Sequence, residues 1–149
     1  MSSFLRYWLP LLVWMLVIFG ASADPKSIEH TSRFLEPFLR WLNPNISPQS
    51  ISTVRWLVRK TAHFVEFAIL AWLWWRALRK PKRDDARPWS WRLAAGALGI
   101  AILYAAIDEF HQLFVPGRGA SVKDVCIDTA GAALGIVIVW LFHPRRKRN

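Results

Sequence analysis

Four stretches of the chain are apolar along most of their length: Phe4–Gly20, Thr61–Leu78, Leu93–Val115 and Val125–Phe142. Each is close to the roughly 20 residues a helix needs to cross a hydrocarbon core about 30 Å thick. A backbone in lipid must satisfy its own polar groups, so the pattern predicts an all-α, polytopic membrane protein. The expected architecture is a four-transmembrane-helix bundle over residues 1–149, in one domain. Between the first two stretches lies a long loop from Ala21 to about Ser50. Within it, His30–Leu42 places Phe34, Leu35, Phe38, Leu39 and Leu42 at helical spacing, with Arg33, Glu36 and Arg40 between them. That segment reads either as an interfacial amphipathic helix or, the favoured reading, as a cover over the outer end of the bundle. Pro37 is expected to break or kink it. Asn43-Pro44-Asn45 is a turn, and Ser47-Pro48 is an N-cap followed by a first-turn proline. The second helix should therefore start near Pro48 and run to Arg79. About 30 residues reach roughly 45 Å, so its first turns, with Arg55, Arg59 and Lys60, stand in the headgroup region. Gly96/Gly99 and Gly131/Gly135 predict close helix contacts in the third and fourth spans.

Composition agrees with this class: 54% of the 149 residues are hydrophobic and ten are Trp. The charge decides orientation. With the N-terminus inside, twelve Lys and Arg fall on the cytoplasmic side: Arg6, then Arg76 and those of the loop Arg79–Arg92, then the C-terminal Arg145, Arg146, Lys147 and Arg148. Eight fall outside. The bias predicts N-in and C-in. Trp72, Trp74, Trp75, Trp89, Trp91 and Trp140 form an aromatic belt at the inner interface. The formal +10 then lies inside, where the twelve cations, Lys82 and Arg83 among them, are offset only by Asp84 and Asp85. It reads as orientation and anionic-lipid contact, which argues against nucleic acid as a partner. Cys126 stands alone, excludes an internal disulfide and reads as a small buried hydrophobe. Arg6, the apolar run and Ala21-Ser22-Ala23 imitate a signal peptide. Cleavage would leave three spans; a retained helix is the preferred reading. Asp24 is outside in both cases.

Ionisable groups inside membrane-length segments are costly and mark functional candidates. Topology gathers Lys60, His63 and Glu66 from the second span, Asp108, Glu109, His111 and Gln112 from the third, Arg118 from the turn, and Asp124 and Asp128 from the fourth. Three helices thus deliver them to one depth on the outer side. Several have structural explanations. Ser121-Val122-Lys123-Asp124 fits a capping box, and Pro116-Gly117 fits a turn. His63 can pair with Glu66, and Lys60 can touch lipid phosphate. Asp128 lies a turn deeper and needs a partner, with Arg118, Lys60 and His111 as the available cations. A salt-bridge network clamping three helices is the competing account of the whole set.

Two chemistries suit the cluster. Lys60, Arg118 and Arg59 can hold a phosphate, aided by the fourth helix's N-terminus, although Asp124 opposes them there. Alternatively, His63, Glu66, Asp108, His111 and Asp128 are hard or borderline donors for a divalent metal. No nucleophile stands out, because Ser121 and Thr129 have capping and packing roles. Binding therefore ranks above catalysis.

Three segments carry a family resemblance. They are Arg59-Lys60-Thr61-Ala62-His63-Phe64-Val65-Glu66-Phe67, then Tyr104 through Asp108-Glu109-Phe110-His111-Gln112 to Pro116-Gly117-Arg118, then Asp124-Val125-Cys126-Ile127-Asp128-Thr129-Ala130-Gly131. Together they resemble VanZ-like membrane proteins from about Lys60 to the end. The resemblance implies an integral protein of the bacterial cytoplasmic membrane and a link to resistance to the glycopeptide teicoplanin. It assigns no catalytic residues. Three functions follow for an outward-facing site. The first is binding of a phospholipid or lipid-linked wall-precursor headgroup. The second is metal-dependent phosphohydrolysis or phosphotransfer on a lipid-linked phosphate. The third is service as a small transporter or flippase subunit. The inner halves of the spans are apolar, so a transport path would need a homo-oligomer.

Overall fold

The structure is a computed structural model that describes residues 4–24, 27–81, 85, 87–116 and 118–143, without the side chains of 27–31. Lys26, Lys82, Arg83, Asp84, Gly117 and Arg145 to Arg148 lie outside the described residues. Helix α1, Leu9–Ala23, is entered through a π-helical turn, Phe4–Trp8. Then come α2, Ser27–Leu42, α3, Pro48–Arg79, α4, Trp91–Gln112, and α5, Val122–Leu141. All the described secondary structure is helical. Helices Phe4–Ala23, Trp91–Gln112 and Val122–Leu141 are long and apolar enough to cross a membrane. Helix α3 is longer, at 32 residues, but His63, Glu66 and Arg76 dilute its apolar stretch.

Caps set the helix starts. Ser47 Oγ accepts from the Ser50 N–H at 3.1 Å, so α3 begins at Pro48 as its sequence predicts. Ser90 caps α4 in the same way, through the Leu93 N–H. Helix α3 is the hub, touching α1, α2, α4 and α5. Its closest partner is α5, where any Cβ on Gly131 or Gly135 would collide with the backbone of Phe64 or Ala68. These two glycines therefore do what their spacing predicts. The other pair does not: Gly96 has only an ordinary 3.8 Å neighbour in Leu78, and Gly99 has nothing within 4 Å. Alanines do that work on α4 instead, with Ala94, Ala97, Ala101 and Ala105 buried in one stripe. On the outside of the bundle Leu16, Leu103, Ile107 and Phe110 are exposed, as lipid-facing side chains are.

Three expectations need correction. Helix α2 continues through Pro37, which sits on its exposed side, so the carbonyl that proline leaves unbonded does not enter a core. Nor is α2 a cover, because only Leu35 and Leu39 of its described apolar side chains are half-buried, whereas Phe34, Phe38, Trp41 and Leu42 are exposed, Phe34 by 77% and Trp41 by 76%. Cys126, expected inside, is exposed on α5, because the α3-facing stripe of α5 is taken by Asp128, Gly131 and Gly135.

The end of the bundle where α3 stops is closed by a knot that charge counting alone does not reveal. Arg79, 3% exposed, donates to Asp85 Oδ2 at 2.9 Å, to the Pro88 carbonyl at 3.1 Å and to the Arg87 carbonyl at 2.7 Å. Arg87 returns bonds to Asp85 and to the Arg79 carbonyl. Trp75 and Trp89 stack at 5.6 Å, and the Arg79 guanidinium lies 5.4 Å from the Trp75 ring centre.

Candidate functional site

At the opposite end, α1, α3, α4 and α5 bring the predicted polar residues close, but with partners the sequence does not name. Asp108 is 2% exposed, and its Oδ2 accepts from Ser22 Oγ at 2.7 Å and from Gln112 Nε2 at 3.0 Å. Spacing of four on α4 explains the Gln112 contact. Ser22 comes from α1, and sequence reasoning missed it as a site residue because it sits in a motif read for cleavage. Other contacts anchor α1 here too. Trp14 Nε1 donates to the Glu66 carbonyl at 3.0 Å, and the Tyr104 hydroxyl donates to the Met15 carbonyl at 2.7 Å.

The start of α5 is built in an unforeseen way. Ser121 Oγ accepts from the Lys123 N–H at 3.2 Å, as a cap should. In a capping box Asp124 would accept from the Ser121 N–H in return. Here that N–H donates to Glu109 Oε2 on α4, at 2.8 Å. Asp124 is thereby released to pair with Lys60 across the α3–α5 seam, at 2.5 Å. Lys60 also lies 5.9 Å from the Trp56 ring centre. Arg118 anchors the turn to the end of α1, donating to the Ala21 carbonyl at 3.0 Å and, at 3.4 Å, to that of Asp24. Burial, and then the charge of Arg59, hold its guanidinium pKa below the ordinary value.

The deeper layer of the seam is left incomplete. His63 Nδ1 is 3.8 Å from Asp128 Oδ1 and 4.0 Å from Glu66 Oε2, too far in both cases for a hydrogen bond. Asp128 is 1% exposed, and neither of its carboxylate oxygens has a hydrogen-bond partner. The basic side chain within 4 Å of it is His63, not Arg118, Lys60 or His111. Asp108 Oδ1 and Gln112 Oε1 are also buried without partners, and so is Arg59 Nε on the donor side. His63 feels the charges of Asp108, Arg59, Arg118 and Lys60. Asp128 feels those of Glu109, Asp108, Asp124 and Lys60. These groups form one electrostatic unit. His111 stands apart from that network: its ring packs on Phe19 of α1 at 4.5 Å, and its Nδ1 is unpartnered.

The metal reading loses its geometric support. Among the described residues no three His, Cys, Asp or Glu side chains gather closely enough to hold an ion. The candidates diverge physically: Asp108 faces Ser22 and Gln112, and His111 faces Phe19. The arrangement instead offers buried oxygen acceptors beside basic side chains.

In comparison with known proteins, the VanZ/LLP1 family model aligns with residues 7–143. No curated protein and no solved structure matches the chain.

Proposed function

The chain belongs to the VanZ/LLP1 family, and we propose that it binds the phosphate-bearing headgroup of a lipid or lipid-linked wall precursor at the outer face of the bacterial cytoplasmic membrane. In this reading four helices span the bilayer, N-in and C-in, with α3 counted beside the three more apolar ones. This reading also retains helix α1, which the bond from its buried Ser22 to Asp108 supports.

One observation carries the proposal: Asp128 is buried with both oxygens unpaired. A helix clamp saturates its groups, because a buried polar atom without a partner costs on the order of 1–3 kcal/mol, and more when charged. The missing partners define the ligand. Asp128, Asp108 Oδ1 and Gln112 Oε1 ask for hydroxyl or ammonium donors. Arg59 and Lys60 suit a phosphate. A headgroup with both features, such as a glycerol, ethanolamine or sugar phosphate, fits the set. Sequestering such a headgroup would change how much wall precursor is exposed to a glycopeptide such as teicoplanin.

The test is binding of phosphatidylglycerol, phosphatidylethanolamine and a lipid-linked sugar phosphate to purified protein by native mass spectrometry. Asp128→Asn should weaken the preferred ligand about tenfold, the loss of roughly 1.4 kcal/mol. Equal binding by both proteins would return the cluster to the role of a clamp. Orientation has its own measurement. Gly119 is exposed with open space around it, so Gly119→Cys in a Cys126→Ala background should react with an impermeant maleimide on intact cells. Labelling only after permeabilisation would reverse the assigned side.

A further inference from the structure

The seam that carries Lys60–Asp124 and His63–Asp128 does not end at the polar cluster. Immediately below it, starting at Phe64, an apolar groove of about 570 Å³ runs between α3 and α5. Phe64, Ala68 and Trp72 line one wall, and Leu134, Ile138 and Val139 the other. The groove is held open by backbone geometry. Gly131 and Gly135 press α5 against the Phe64 and Ala68 carbonyls, so larger neighbours must splay outward on either side. Its far end is stopped by Trp75 and His143, whose rings meet edge to face at 6.4 Å. His143 is fixed there, with Nε2 3.1 Å from the Arg87 carbonyl. From Phe64 to Trp75 the helix rises about 16 Å, close to the depth of one leaflet of a ~30 Å core.

We propose that this groove holds one hydrocarbon chain of the same ligand whose headgroup occupies the polar cluster, so that the protein binds a lipid-linked phosphate more tightly than a free one. The inference rests on the headgroup reading above. Three features favour a lipid chain as occupant. The lining carries no Asp, Glu, Lys or Arg, the groove begins at Phe64, one turn along the same face of α3 from Lys60, and its closed end limits the length it accepts. Each added methylene gains packing contacts with the groove walls, so affinity should rise with chain length until the Trp75–His143 stop is reached.

The experiment uses two probes with one headgroup: glycerol phosphate, and a long-chain lysophosphatidic acid, both measured against the full-length protein in detergent. Ile138→Trp fills the groove from a 43% exposed position, and Val137→Trp, 45% exposed and outside the lining, is the control. The groove reading predicts that Ile138→Trp weakens the lysolipid at least tenfold and leaves glycerol phosphate unchanged, while Val137→Trp changes neither. Leu134→Trp, on the turn before, repeats the test should Ile138→Trp unfold. Undiminished lysolipid binding by the filled variants, with glycerol phosphate still bound, overturns the groove and spares the headgroup site. Failure of wild-type protein to bind either probe removes both. A shift in oligomeric state on filling, without loss of lysolipid, identifies the groove as a contact between copies and also overturns the proposal.

Discussion

The molecule buries a charged cluster at each end, and the two are built on opposite terms. In the knot around Arg79, three guanidinium nitrogens have acceptors, and Asp85 receives bonds from both Arg79 and Arg87. The Arg87 hydrogen bonds, aided by Arg79, hold the Asp85 carboxyl well below the usual carboxylate range against the opposing effect of burial. At the other end Asp124 and Glu109 are similarly paired, yet Asp128, Asp108 and Gln112 keep bare oxygens. Both clusters hold helices together, but only one leaves acceptors over. The difference teaches that burial of charge does not itself mark a site; an unmet hydrogen-bonding requirement inside it does.

Removing Arg79 should have the largest effect. Arg79→Ala strips partners from Asp85 and two backbone carbonyls, and should cost about 3–5 kcal/mol. A thermal melt in detergent measures it. Headgroup binding by the folded fraction should stay unchanged if the two ends are independent. Next comes Gly131→Ala, whose Cβ runs into the Phe64 backbone. Prising α3 from α5 should cost about 1–3 kcal/mol and weaken headgroup binding, whereas Gly99→Ala, in open space, should gain up to about 1 kcal/mol from helix propensity. Equal melting shifts for the two glycine variants would mean that the seam is not tight.

Asp128→Asn sharpens the contrast further. Because neither Asp128 oxygen makes a hydrogen bond that Asn would lose, its melting temperature should hold or rise while ligand binding falls. A clear loss of stability would show that Asp128 is a structural member, like Asp85. The smallest effect is in acid. The folded-state pKa of Asp85 is depressed, so its contribution is fully present above its unfolded value, about 4. That contribution is lost as pH falls through and below that value. Wild-type stability should therefore drop more steeply than that of Asp85→Asn below about pH 4. Parallel curves would remove Asp85 from the knot's energetics.

Much of this organisation is legible in the chain. Ser47-Pro48 marks the start of α3, and the Gly131/Gly135 spacing marks the tight seam, because caps and helix faces depend on residues three or four apart. The cluster around Asp128 is legible as a set, since costly polar residues in apolar runs are conspicuous. Its pairing is not. Lys60 finds Asp124 because Glu109, from another helix, takes the Ser121 N–H that a local box would have used. His111 looks equivalent to Asp108 by spacing, yet it turns to Phe19, since residues three apart on a helix are about 60° apart around the axis.

The sequence by itself determined the helical, membrane-embedded character, the family and the inventory of polar groups, because hydropathy, caps and motifs are local properties. Only the tertiary structure decided which of those groups are satisfied. Ser22, 86 residues from Asp108, closes one side of the cluster, while Asp128 is left open. Satisfaction of a buried polar atom depends on what other helices bring within about 3 Å, and no local pattern encodes that distance.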